Sequence, residues 1–216
     1  MPLPTLSHNV DRELCPAENV QATLVGIFYI GSQPNIYEPD KPPTKQAVFQ
    51  FELDLTDSQG RPHVLSKTMT FSASEKSTLS KWFKPIFGDK WPKDGETFDP
   101  AKMLGVRLMA DVVHYAKKSG DTGAKIGSVS KLVKGLGPME HQSTLIAWAF
   151  DDPITERVPT WIAELGESCI EKTGKAPLIN AGTQRANGHD ANAQAASAAA
   201  ATSTSAPDND DDGLPF

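Results

Sequence analysis

The segment TKQAVFQFELDLT, residues 44–56, alternates between large apolar and polar side chains. Its apolar positions are Phe49, Phe51, Leu53 and Leu55, and its polar positions are Gln50, Glu52 and Asp54. Because successive side chains of a strand point to opposite faces, this period of two predicts a half-buried β-strand. The turn DSQG at 57–60 and the segment RPHVLSKTMTF at 61–71 predict a hairpin with a returning strand. The chain must therefore build an antiparallel sheet.

The remaining segments predict where that sheet continues and where a helix interrupts it. Residues 20–31 form a strand rich in β-branched and aromatic side chains, and residues 103–116 and 125–133 form two more. Between the third and fourth strands, residues 74–88 carry Leu79, Trp82, Phe83 and Ile86 at helical spacing. Trp82 and Phe83 are expected to fix this helix in the bottom of a barrel. The order is typical of the OB-fold, a five-stranded barrel with a helix between strands 3 and 4. Another small β-barrel with an inserted helix is the alternative.

The chain beyond residue 135 predicts additions to a mainly β domain. Residues 143–150 suggest an accessory strand, and residues 158–172 suggest an accessory amphipathic helix that covers one end of the barrel. From residue 181 few large apolar groups remain, so residues 181–207 are expected to be a disordered linker. The predicted organisation is an N-terminal extension (1–19), an OB-fold domain (20–180), the linker (181–207) and an acidic tip (208–216).

The net charge of −6 conceals two basic stretches. Residues 61–93 contain seven basic and two acidic side chains, and residues 102–135 contain the same numbers, so each stretch carries +5. The acidic balance comes from residues 1–60 and from the tail. A basic surface on a chain of negative total charge is compatible with a nucleic-acid partner, although lysines are also common on any surface.

Motifs of enzymes and metal sites were not found. There is no glycine-rich phosphate loop, no H-E-x-x-H, no Cys/His cluster and no G-x-S-x-G. We therefore expect no enzymatic activity, no cofactor and no metal. Cys15 and Cys169 are far apart in sequence and are expected to be free thiols. No apolar run approaches the roughly 20 residues of a membrane span and no secretion signal is evident, so we expect a cytoplasmic protein without a membrane partner.

What remains is a candidate binding surface for single-stranded nucleic acid. Such surfaces combine a cationic groove with aromatic rings on which bases stack. In an OB barrel they span the middle strands and the loops that join strands 1 and 2 and strands 4 and 5. The residues predicted to bind are Tyr29, Tyr37, Lys45, Lys67, Arg107, Tyr115, Lys117, Lys118, Lys125 and Lys131.

The chain ends in PDNDDDGLPF, where aspartates precede an apolar segment and a terminal phenylalanine. With its low-complexity linker, this ending resembles the acidic tip of bacterial and phage single-stranded DNA-binding proteins (SSBs), and the helix after strand 3 is similar to that of divergent phage members. The resemblance implies that the tip docks on replication and recombination proteins and competes with DNA for the barrel's cationic groove. Bacterial members are commonly tetramers, so a homo-oligomer is also implied. The tip residues concerned are Asp208, Asp210, Asp211, Asp212, Leu214, Pro215 and Phe216.

These observations together predict a non-enzymatic protein that coats single-stranded DNA during replication, recombination and repair. Two alternatives use the same features. An RNA-binding or strand-annealing factor would use the same surface with another nucleic acid, and a protein-only interaction hub would carry its lysines as ordinary surface charge. An enzyme on an OB scaffold is a third alternative, because OB barrels host unrelated ligands.

Overall fold

The structure is a computed structural model that describes residues 13–35, 41–93, 96–133, 135–137 and 139–174. Its strands are β1 (Asn19–Gln33), β2 (Thr44–Thr56), β3 (Pro62–Thr70), β4 (Arg107–Ala116), β5 (Thr122–Lys131) and β6 (Ile146–Ala149). Its helices are α1 (Thr78–Phe87), α2 (Thr160–Glu167) and α3 (Ile170–Thr173), with short 3₁₀ helices at Gly88–Lys90 and Pro100–Met103.

One sheet organises the described part of the chain, in the strand order β3-β2-β1-β4-β5. β1 pairs with β2 along one edge. Its other edge pairs antiparallel with β4 near Thr23 and then parallel with β6 from Gly26 to Tyr29. The order of three strands, a helix and two strands, as well as the accessory strand, thus appears as predicted.

The first hydrophobic cluster lies between α1 and one face of the sheet, which we call the inner face. Phe49 and Phe51 of β2 are fully buried there and contact Phe83 of α1, with ring centroids 6.0 and 6.5 Å apart. Burial of such side chains stabilises the fold by about 1.5–3 kcal/mol each. Trp82 and Phe83 fix the helix as expected, but against one face of an open sheet rather than in the bottom of a barrel.

A second cluster lies on the opposite, outer face of the sheet. The register of β1 against β2 shifts between Leu24 and Gly26. Because of this bulge, Leu24 belongs to the inner cluster while Phe28 belongs to the outer one. β6 and α2 cover Phe28, and α2 approaches so closely that a Cβ on Gly166 would lie 2.6 Å from the Trp148 ring. The accessory elements therefore cover part of the sheet's outer face rather than an end of a barrel.

The two hairpin turns have the same backbone features, a glycine with positive φ and a hydrogen bond from its N–H. Gly60 ends the β2–β3 turn with φ 74°, and Gly120 lies in the β4–β5 turn with φ 91°. A positive φ favours glycine, so these residues allow the chain to reverse tightly. Each glycine N–H donates to a carbonyl three residues earlier, that of Asp57 at 2.9 Å and that of Lys117 at 3.0 Å.

The predicted closure of the barrel is not observed. β3 and β5 come near each other, but no ladder joins them in the described residues, and α1 contacts both strands. Several predicted ends also shift. The fourth strand begins at Arg107 rather than at residue 103, because Pro100–Met103 forms a 3₁₀ helix. The predicted helix over 158–172 is divided into α2 and α3 at Ser168 and Cys169.

Candidate nucleic-acid interface

Six of the ten predicted binding residues lie on one antiparallel ribbon, formed by β4, β5 and their turn at residues 117–121. We call this unit the β4–β5 ribbon. Arg107 and Tyr115 are eight residues apart on β4, so they are separated by about 27 Å along an extended strand. The ribbon contains five Lys or Arg side chains against Asp111 and Asp121, a local charge of +3. The ribbon is thus an elongated cationic element.

The turn end of the ribbon brings an aromatic ring and three lysines together. Tyr115 pairs with Gly123 across the strands, and a Cβ on Gly123 would lie 2.8 Å from two atoms of the Tyr115 ring. The ring therefore lies on the backbone of Gly123, where no side chain keeps it away. The Lys125 ammonium is 5.2 Å from the ring centroid, a cation–π distance. Lys117 approaches the same glycine, and Lys118 is exposed in the turn.

The opposite end of the ribbon contains two of the predicted cations. Lys131 pairs with Leu108, which is buried in the inner cluster, so Lys131 lies on the inner side of the ribbon. Arg107 pairs with Thr23 and lies on the outer side. Arg107 is half-buried and donates from Nη1 to the carbonyl of Gly137 at 3.3 Å, whereas Lys131 is exposed. The midpoint of the outer face holds Asp111, which pairs with Ser128. On the outer face the predicted cations are therefore concentrated at the turn end of the ribbon, and Arg107 is the predicted cation at the opposite end.

Three further predicted residues lie away from the ribbon. Tyr29 packs between Phe71 and Phe150, with ring centroids 5.1 and 5.7 Å away. Burial and the nearby Glu171 raise the pKa of its hydroxyl. Lys45 is exposed and pairs with Ser32 near the far end of β1. Lys67 is in register with Phe49, on the side of β3 that faces the inner cluster.

The other predicted residues fall outside the described part of the chain. These are Tyr37 of the loop between strands 1 and 2, the linker at 181–207, and the tip residues Asp208, Asp210, Asp211, Asp212, Leu214, Pro215 and Phe216. They stay predictions from the sequence alone.

Sequence reasoning missed a segment that crosses the centre of the outer face. Residues 137 and 139–143, which we call the strap, run across β1, β2 and β4. Both carboxylate oxygens of Glu52 accept backbone N–H groups of the strap, from Gln142 at 2.6 Å and from Ser143 at 2.7 Å. Glu52 itself is 1% exposed. These contacts join residues about 90 positions apart, so no local pattern could have indicated them.

The outer face of the sheet is consequently covered over β1 and β2. β6 and α2 cover the outer face at Phe28 and Val48, and the strap covers it at Thr23 and Glu52. The β4–β5 ribbon lies beside this cover. Of the predicted surface, the ribbon is thus the part that groups cations with an aromatic ring.

Comparison with protein-family models and with curated proteins finds no match to this sequence. The described residues hold no group of three or more His, Cys, Asp or Glu side chains placed to bind a metal ion. None of the described helices has the length and apolar character needed to cross a membrane.

Proposed function

We propose that the protein binds single-stranded DNA without sequence preference, through the β4–β5 ribbon. The single observation that carries the proposal is the juxtaposition of the Tyr115 ring with Lys117 and Lys125 around Gly123. A base that stacks on Tyr115 would replace the Lys125 ammonium over the ring, and that ammonium would then pair with a phosphate. Stacking on an aromatic ring and neutralisation of phosphates are the two interactions that hold single strands independently of sequence.

The strand order supports an OB-type domain as the framework of this site. The sequence of three strands, a helix and two strands, with β1 between β2 and β4, is that expected of an OB-fold whose edges have not closed. In such domains the loop between strands 4 and 5 contributes to the ligand surface, and here that loop is the turn of the ribbon.

The C-terminal sequence supports a second role, the recruitment of replication and recombination proteins. Leu214, Pro215 and Phe216 offer apolar area beside the negative charge of the aspartates, which fits an apolar pocket with an Arg or Lys at its edge. The preceding aspartates also match the charge of the ribbon, so we propose that the tip competes with DNA for it.

Binding of a fluorescent oligo-dT, followed by anisotropy at about 50 mM and about 200 mM salt, tests the proposal. We expect the affinity for oligo-dT to decrease as salt increases. A duplex or an oligo-U of equal length should compete poorly with oligo-dT for the protein. A chain truncated after Pro207 should bind more tightly, because the competing aspartates are lost. Preference for oligo-U would favour an RNA-binding factor instead. Absence of binding by either form at low salt would contradict the proposal and favour a protein-only hub.

A further inference from the structure

Glu52 is a buried carboxylate that accepts two hydrogen bonds from the strap. It lies on the outer face of β2, between Phe51 and Leu53, which point to the inner cluster. Its two hydrogen bonds come from consecutive backbone N–H groups, those of Gln142 and Ser143. Burying a carboxylate is costly unless its oxygens are hydrogen-bonded, so these bonds offset the loss of water. The strap and Glu52 therefore depend on each other.

The rest of the strap is held by weaker contacts. Thr23 Oγ1 donates to the Met139 sulfur at 3.6 Å, and Arg107 donates to the Gly137 carbonyl. The side chains of Glu140, His141 and Gln142 are exposed. A segment with few buried side chains opens locally at a low cost in free energy. Glu52 is thus the main anchor that keeps the strap on the sheet.

The position of the strap decides which part of the outer face is open to a ligand. It covers Thr23 and Glu52 in the centre of the sheet. It also accepts a hydrogen bond from the guanidinium of Arg107 at the end of the β4–β5 ribbon. A DNA strand that is bound along the ribbon and continues past Arg107 would meet the strap before it reached β1 and β2.

We infer that Glu52 is a positioning residue: by holding the strap, it confines the bound DNA strand to the β4–β5 ribbon. This inference rests on the proposed function. Release of the strap would free the Arg107 guanidinium and open the face over β1 and β2. The protein would then cover a longer stretch of each strand and bind it more tightly.

Glu52→Gln in the full chain tests the inference, because the amide cannot accept both N–H groups. Amide exchange measured by NMR should become at least about tenfold faster at Gln142 and Ser143. The length of poly-dT covered per protein should increase, and the affinity for oligo-dT should rise by about three- to tenfold. Asp54→Asn is the matched control, because it removes the same charge two residues along β2 at an exposed position. It should leave the exchange rates and the covered length unchanged.

A second variant acts on the other side of the same hydrogen bonds. Gln142→Pro removes one N–H donor and leaves Glu52 intact, whereas Gln142→Ala keeps the donor. We expect Gln142→Pro to reproduce the faster exchange at Ser143, the longer covered length and the higher affinity of Glu52→Gln, and Gln142→Ala to behave as the wild type.

Three results would overturn parts of this inference in distinguishable ways. Unchanged exchange in both test variants would show that Glu52 does not hold the strap. Amide exchange in the strap could become faster while the covered length of poly-dT and the affinity stay as in the controls. That result would show that the strap does not confine the DNA strand. Failure of every form to bind oligo-dT would overturn the proposed function and the confinement together, while the exchange rates would still decide whether Glu52 holds the strap.

Discussion

Tyr115 is the side chain on which the proposed stacking depends. Its ring rests on Gly123 and beneath the Lys125 ammonium, so the strand pairing holds it in place before a ligand arrives. Stacking of one base is worth about 1–3 kcal/mol. We expect Tyr115→Ala to weaken oligo-dT binding by about five- to a hundredfold, and Tyr115→Phe to remain within about twofold, because the ring is retained. Equal losses in the two variants, measured by anisotropy, would exclude stacking by this ring.

Cys15 gives a residue-level prediction about stability. Its side chain is 3% exposed, and burial, with a smaller effect of Glu18, raises the pKa of the thiol from 9.0 to about 11. Between these values the unfolded chain loses a proton that the folded chain keeps, so the free energy of unfolding falls as pH rises. The urea midpoint should decrease more in the wild type than in Cys15→Ala between about pH 8 and about pH 10. Parallel decreases would show that the thiol does not contribute.

Individual side chains were predictable from the sequence where their role was local. Alternation correctly assigned Phe49 and Phe51 to the core. Alternation does not give the face of Tyr29, because the bulge after Leu24 changes which side chains of β1 share a face and the second cluster buries its other face. It also placed Glu52 correctly on the polar face without indicating its burial, which is caused by residues far along the chain.

The helix α1 shows how one cap sets the start of an element. The Ser77 hydroxyl accepts the N–H of Ser80 at 3.0 Å, so the helix begins at Thr78, one turn later than the first serine of the segment suggested. Ser77→Ala should lower the free energy of unfolding by about 1 kcal/mol, measured by urea denaturation. Ser74→Ala is the control, because Ser74 is exposed and lies ahead of the cap. Equal effects of the two substitutions would contradict this assignment of the cap.

The order of the elements was predictable because hydrophobic period and turn chemistry are local properties. The pairing of β6 with β1 was not, because it joins a strand to a distant partner in parallel. Closure of the barrel was predicted from topology alone, and in the described residues β3 and β5 do not pair with each other.

At the scale of the whole molecule, the part of the chain that the structure describes presents two basic regions of different kinds. One is the turn of the β4–β5 ribbon, where Lys117 and Lys118 lie beside Tyr115. The other surrounds α1 on the inner side of the sheet, where Lys76 and Lys81 are exposed. The two regions were equivalent in the sequence, since both stretches carry +5. The pairing of β4 with β5 distinguishes them, because it places the turn of the ribbon beside the ring of Tyr115 on the outer face.

A comparison of oligo-dT affinities for two charge-matched double variants tests the central claim most directly. Lys117→Gln with Lys118→Gln should reduce the affinity by about tenfold or more at low salt, and should make the dependence of log affinity on log salt about 1.4 units shallower. Lys76→Gln with Lys81→Gln removes the same charge beside α1 and should change the affinity by less than about threefold. Equal losses in the two double variants, or no loss at the ribbon, would contradict the claim that the β4–β5 ribbon is the binding site.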